Sequence, residues 1–145
     1  PANCGFCITW TDFFRERFSG HPLKPVTISF KGISVSGEIM ISAKGLEGGA
    51  IYAISAQLRD EILAKGSAVF DIDLRPGLSS ATLLTRLQQP RRGASFANFL
   101  RKEAGLSPVA IGIINETALN HQARNLPPES LTALIKALPV RTTAP

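Results

Sequence analysis

Cys4-Gly5-Phe6-Cys7 has the C-x-x-C spacing of dithiol redox sites and of half a zinc site. A zinc ribbon needs a second such pair, which the sequence lacks, and its two histidines, His21 and His121, stand far apart. A redox dithiol opens a helix, whose N-terminus lowers the thiol pKa. Here Ile8, Thr9 and Trp10 favour a strand instead. Along a strand, residues an odd number apart point to opposite faces, and three residues span ~10 Å. That exceeds the roughly 7 Å Cα separation a disulfide can bridge. Two packing cysteines are therefore preferred over a redox or metal role. Asp71 and Asp73 share one strand face, as a carboxylate pair would, but solvation is the preferred reason for two acids on an outward face. No Ser-His-Asp or Cys-His grouping is local.

Lys44-Gly45-Leu46-Glu47-Gly48-Gly49 is the most informative segment. It is expected to lie between a strand and a helix, with glycines free to take φ > 0 and exposed N–H groups at the positive end of the helix dipole. Such a loop can approach a phosphate, a flavin or a substrate carboxylate. It is neither a Walker loop nor G-x-G-x-x-G, because the spacing fails and no Lys-Ser/Thr follows. A plain glycine-rich turn entering a helix has the same pattern. The candidate cleft-lining residues are Gly45, Glu47, Gly48 and Gly49, with Lys44 and Tyr52 as neighbours.

The elements that must position these residues follow from periodicity. Cys4, Phe6, Ile8 and Trp10 alternate like one face of a strand, and Thr11 caps a short helix with Phe14 and Phe18 at i,i+4. Val26, Ile28 and Phe30, then Lys31-Gly32, then Ile33, Val35, Ile39 and Ile41 predict a hairpin with a two-residue turn. Ile51, Ile54, Leu58 and Ile62 predict one helix over about 48–65, with Glu61 and Lys65 at i,i+4 and Gly66 as its stop. Phe70, Ile72 and Leu74 form a further strand. From Pro76 onward the pattern turns helical: Ser79 or Ser80, Ser95 and Pro128 each open a helix, the last carrying Leu131, Leu134, Ile135 and Leu138 on one face. Ser107-Pro108 is a good helix start, but the β-branched run Val109–Ile114 leaves strand open. The expectation is α+β: a small, mainly antiparallel β-barrel-like subdomain over 1–75, then a helical subdomain over 76–145.

Composition bounds the remaining classes. With 145 residues, 44% hydrophobic and 19% charged, the chain is globular rather than disordered. No apolar run approaches the ~18 residues of a membrane span. Two cysteines are too few for a disulfide scaffold, and with no demand for an oxidising compartment the cytoplasm is the default. Nothing resembles a signal peptide, and a start at Pro1 suggests a piece of a longer protein. Residues 1–73 hold 7 basic and 8 acidic side chains, net −1, whereas residues 74–145 hold 9 and 3, net +6. Arg86, Arg91, Arg92, Arg101 and Lys102 raise a nucleic-acid or polyanion partner, weighed against a solvated helix face. No aromatic residue alternates with them as base stacking needs, although Phe96 and Phe99 are close in sequence.

Pro1-Ala2-Asn3-Cys4-Gly5-Phe6, Trp10, and Phe18-Ser19-Gly20-His21-Pro22-Leu23-Lys24 carry a family resemblance. So does Gly37-Glu38-Ile39-Met40-Ile41 running into Gly45-Leu46-Glu47-Gly48-Gly49-Ala50-Ile51-Tyr52. The chain resembles, over essentially its whole length, the inserted region of FAD-dependent oxidoreductases similar to aminoacetone oxidase and the bile-acid-pathway flavin reductases. In that family a Rossmann-type FAD domain is interrupted by a β-barrel-like and a helical insert. The resemblance implies an insert without catalysis of its own that packs over the flavin domain and shapes the substrate side of the cleft. FAD would belong to the parent protein only. The implied partners are the FAD-binding domain of the same parent chain and a small-molecule substrate; the composition separately argues against a membrane and leaves nucleic acid as the disfavoured rival. The family's FAD-binding glycine motif would precede Pro1 and its closing FAD segment would follow Pro145. Many members read Ser-Gly-Pro where this chain has Glu47-Gly48-Gly49, which implies a distinct subgroup. The rival from another class is a free-standing polyanion or nucleic-acid binding module using the basic half.

Overall fold

The computed structural model describes residues 5–117 and 119–144, with the side chains of 119–121 left undescribed; Cys4 and the three residues before it lie outside this range. The chain runs β1 (Phe6–Cys7), α1 (Asp12–Phe18), β2 (Pro22–Phe30), β3 (Ile33–Ser42), β4 (Gly45–Glu47), α2 (Gly49–Ala53), α3 (Ser55–Lys65) and β5 (Ala68–Asp73). It continues with α4 (Ser80–Leu87), α5 (Phe96–Phe99) leading into a π-helical turn (Leu100–Ala104), α6 (Pro108–Thr117), a 3₁₀ segment (Leu119–Asn125), α7 (Pro128–Lys136) and β6 (Leu138–Thr142). The fold is α+β, a curled antiparallel sheet with helices against it.

The strands form one sheet in the order β1-β4-β3-β2-β5-β6, antiparallel throughout. Lys31 and Gly32, both at positive φ (48° and 83°), make the β2–β3 turn, the conformation whose twist matches a two-residue hairpin. The sheet curls until its two edges meet. The Cys7 N–H donates to the Ala144 carbonyl at 2.8 Å, and the Thr142 hydroxyl donates to the Cys7 carbonyl at 2.8 Å. Thr142 is wholly buried at this seam.

Alternate residues of every strand face one core, including Val26, Ile28, Ile39, Ile41, Leu46, Phe70, Ile72 and Val140. Helix α1 is capped by the Thr11 hydroxyl, whose own N–H and O–H donate to the Glu116 carboxylate of α6. Trp10, Phe14 and Phe18 stack in turn, with ring centroids 4.5 and 5.1 Å apart, and the Trp10 indole N–H donates to the Ser42 carbonyl. Burying each such ring contributes about 1.5–3 kcal/mol. The exposed Arg15–Asp12 pair on the same helix contributes at most about 1 kcal/mol, so the aromatic row holds α1 in place.

Several expected elements differ. Among the described residues of the strand expected over 4–10, only Phe6 and Cys7 form β1, although Phe6 and Trp10 keep the buried alternation. The single helix over about 48–65 is two helices, broken at Ile54, where the Ser55 hydroxyl takes the Tyr52 carbonyl. The break lets Ile51, Ile54 and Leu58 all reach the core. Val109–Ile114 is helical, because Ser107 caps it and burial on most sides suits an apolar helix. Leu138 is not on the last helix. It opens β6, opposite Ile72, so the sheet draws its final strand from the second half of the chain.

Two polar junctions tie the parts together. Lys136 pairs with Asp73 at 2.8 Å and donates to the Arg75 and Leu78 carbonyls, while the Arg75 guanidinium donates to the carbonyls of Ala104 and Gly105. Lys31 in the hairpin turn donates to Glu61 of α3 at 2.6 Å, and Lys65 sits 3.4 Å from the same carboxylate. The Lys31 hydrogen bond, followed by Lys65, holds the Glu61 carboxyl below its ordinary pKa.

Thr142→Val removes the donor to the half-buried Cys7 carbonyl and is expected to cost about 1 kcal/mol in urea denaturation, with Thr142→Ser retaining most of the stability. Because the Glu61 pKa is depressed in the folded state, its contribution is present at neutral pH and lost as pH falls through that folded pKa. Glu61→Gln is therefore expected to lower the urea midpoint at about pH 7 and to converge on the unsubstituted chain at about pH 3.

Candidate functional site

Strand β1 and the connection between β3 and β4 border a mouth. Around it, a cavity of about 450 Å³ is lined by Gly5, Phe6, Cys7, Ser42, Ala43, Lys44 and Glu47. Ala43 and Lys44 form the turn between β3 and β4, which pair Ser42 with Gly45 and Met40 with Glu47. The Lys44 carbonyl accepts from the Ile8 N–H at 2.8 Å, and the Ser42 hydroxyl accepts from the Gly45 N–H at 3.1 Å. One cationic and one anionic side chain thus stand over a wall of strand ends. Such a pair can orient a polar molecule between an ammonium and a carboxylate.

Residues 44–49 are not the open loop expected from their glycines. Gly45–Glu47 is strand β4, with Gly45 and Leu46 buried between β1 and β3. A Cβ on Gly45 would overlap the Phe6 carbonyl, so this glycine is required by the close approach of β1. Gly48, at φ 111°, leads into α2 with its missing Cβ facing the Glu38 carbonyl and Met40 N–H of β3, at 3.0 and 3.1 Å. Only Gly49 has open space beside it. Glycines that admit a cofactor leave their Cβ volume free for it. Here backbone fills that volume at Gly45 and Gly48, so these residues do not fit a dinucleotide cradle for FAD.

Of the six sequence candidates, Lys44 and Glu47 line the mouth. Gly45, Gly48 and Gly49 are not among its lining residues, and Tyr52 is half-buried on α2, its N–H bonded to the Gly48 carbonyl. Sequence reasoning missed Ser42 and Ala43, which a β3–β4 hairpin would have flagged. Cys7 is half-buried in the mouth wall; the C-x-x-C pair cannot be drawn, since Cys4 lies outside the described residues. Asp73 is not part of a carboxylate pair: Lys136 and the Arg75 N–H hold it. His21 rests edge-on against Phe18, and among the described residues no group of acids, cysteines and histidines could hold a metal ion. No helix among them is long and apolar enough to cross a membrane. Phe99, near the basic residues, is buried, and the Arg91 guanidinium lies 5.1 Å from both the Phe96 and the Phe99 ring centroids.

Comparison with protein-family models matches residues 1–144 to the HI0933-like protein barrel and H2TH domain. No curated protein matches the chain.

Gly45→Ala forces β1 away from β4 and is expected to cost more than about 3 kcal/mol in chemical denaturation, with loss of the Phe6 and Ile8 amides from slow hydrogen exchange. Gly49→Ala, with open space at its Cβ, is expected to change stability by less than about 0.5 kcal/mol.

Proposed function

The chain belongs to the HI0933-like family, as the barrel and H2TH domain of these FAD-dependent oxidoreductase-like flavoproteins, and we propose that it is an insert that covers the flavin domain of its parent and shapes the substrate side of the cleft. It performs no catalysis by itself. The observation that carries this reading is the seam: Cys7 and Ala144 are joined by a 2.8 Å hydrogen bond, so the first and last strands leave the barrel side by side. An insert must begin and end at one loop of its host, and adjacent ends make such an insertion tolerable. The same seam borders the Lys44–Glu47 mouth, so a host reached through these ends would face that mouth.

In this reading the partner is the FAD-binding domain of the same parent chain, and FAD chemistry belongs to that domain. Lys44 and Glu47 supply polar contacts to a small-molecule substrate and the barrel rim excludes water. The subgroup similar to aminoacetone oxidase is the proposed kind of parent, on the Gly37–Ile41 and Gly45–Tyr52 runs, and the cytoplasm its compartment.

Two measurements test the proposal. Titration of the 145-residue chain with FAD, followed by flavin fluorescence, is expected to show no stoichiometric binding; tight one-to-one binding would overturn it. In the flavin-loaded parent, Lys44→Ala and Glu47→Ala are each expected to lower kcat/KM about tenfold with flavin content unchanged. Unaltered kinetics in both variants would remove the mouth from the cleft.

A further inference from the structure

The basic excess of the second half is concentrated at one place. Arg91, Arg92, Arg101 and Lys102 line a cavity of about 400 Å³ that contains a single acid, Glu103. Arg91 is held in position, stacked on Phe96 and Phe99 and donating to the Arg124 carbonyl at 3.0 Å. The side chains of Arg92, Arg101 and Lys102 make no hydrogen bond or ion pair among the described residues. Converging uncompensated cations repel one another, and an anion of more than one charge relieves that repulsion. Arg101 and Lys102 sit on the π-helical turn, a distortion that recurs at functional sites.

A second cavity of about 420 Å³ adjoins the first and shares Asn98 and Arg101 with it. Its character is different. Phe13, Phe18, Pro108 and Ile111 supply apolar walls, and Phe13 is 69% exposed, unusual for a phenylalanine in a folded chain. The Arg17 guanidinium lies 5.9 Å from the Phe13 ring and 5.5 Å from the Phe18 ring. Neither cavity shares a residue with the Lys44–Glu47 mouth.

We propose that these two cavities form one groove that binds a small phosphate monoester with an apolar tail, the phosphate among Arg91, Arg92, Arg101 and Lys102 and the tail against Phe13 and Ile111. A phosphate dianion answers several cations at once, and Arg offers it paired N–H donors. The tail covers the exposed Phe13 ring. Together the cavities fall in the size range of small-molecule sites.

Octyl phosphate below its micelle concentration is the probe, titrated calorimetrically into the chain, with inorganic phosphate and octanol as half-ligands. The expected result is saturable one-to-one binding of octyl phosphate, with each half-ligand at least tenfold weaker. Arg101→Gln and Phe13→Ser, both at exposed positions, each weaken it at least tenfold, while Lys65→Gln on α3 leaves it unchanged. Amide shifts on titration gather in 91–102 and 108–115. Absence of saturable binding, equal affinity for either half-ligand, or indifference to Arg101→Gln overturns the proposal. Sedimentation with phosphatidylglycerol vesicles in the absence of saturable octyl phosphate binding assigns the groove to a bilayer surface instead and equally overturns it.

Discussion

The pair of hydrogen bonds at Cys7 is the constraint from which the rest of the architecture follows. A six-stranded sheet that stopped flat would leave backbone groups of β1 and β6 unpaired along its two edges. Curling brings the Cys7 N–H to Ala144 and the Cys7 carbonyl to the buried Thr142 hydroxyl, which satisfies both groups. Each bond adds only about 1 kcal/mol net, but a buried orphan would cost more. Closure therefore decides the curvature. In the neighbouring β1–β4 ladder, Gly45 has φ 158° and a Cβ there would fall on the Phe6 carbonyl, so only glycine fits at residue 45.

The helices meet this barrel through a different balance. Apolar contact supplies most of the attraction, with Phe14, Phe18, Ile113 and Ile114 among the fully or nearly fully buried side chains. Polar groups instead fix register. Lys136 has Asp73 and two carbonyls as partners, and Arg75 reaches across to the end of the π-helical turn. Buried and half-buried charges like these contribute little net energy, since desolvation offsets attraction, but a misplaced helix would leave them unpaired. Glu116 acts similarly at the other end, closing the N-cap of α1 from the last turn of α6.

Much of this was legible in the sequence. The Lys31-Gly32 turn, the Thr11, Ser79 and Ser95 caps, and the Glu61–Lys65 pair are local, and local chemistry determines them. What was not legible depends on partners distant in the chain. Leu138 continues a helical stripe perfectly well until Ile72 is set opposite it in the ladder. Ile54 lies on the same stripe as Ile51 and Leu58, yet a break there turns all three toward one core. Asp73 reads as a solvated acid unless Lys136, 63 positions away in the chain, is known to stand 2.8 Å from it. At the mouth, Lys44 and Glu47 were found for their proximity to glycines, although their place follows from a two-residue turn that those glycines do not make.

The glycines at 45 and 48 show why a pattern alone is ambiguous. A backbone approached by a cofactor and a backbone approached by another strand impose the same requirement, an absent Cβ, and leave the same trace in sequence. What separates them is the identity of the atoms filling the vacated volume. Here they are the Phe6 and Glu38 carbonyls, so the glycine run records contact with neighbouring strands. Curling of the sheet puts residues 7 and 144 in contact. For a domain carried within a host loop, contact between its ends keeps that loop nearly closed whatever the length of the insertion, and closure entropy grows only slowly with length.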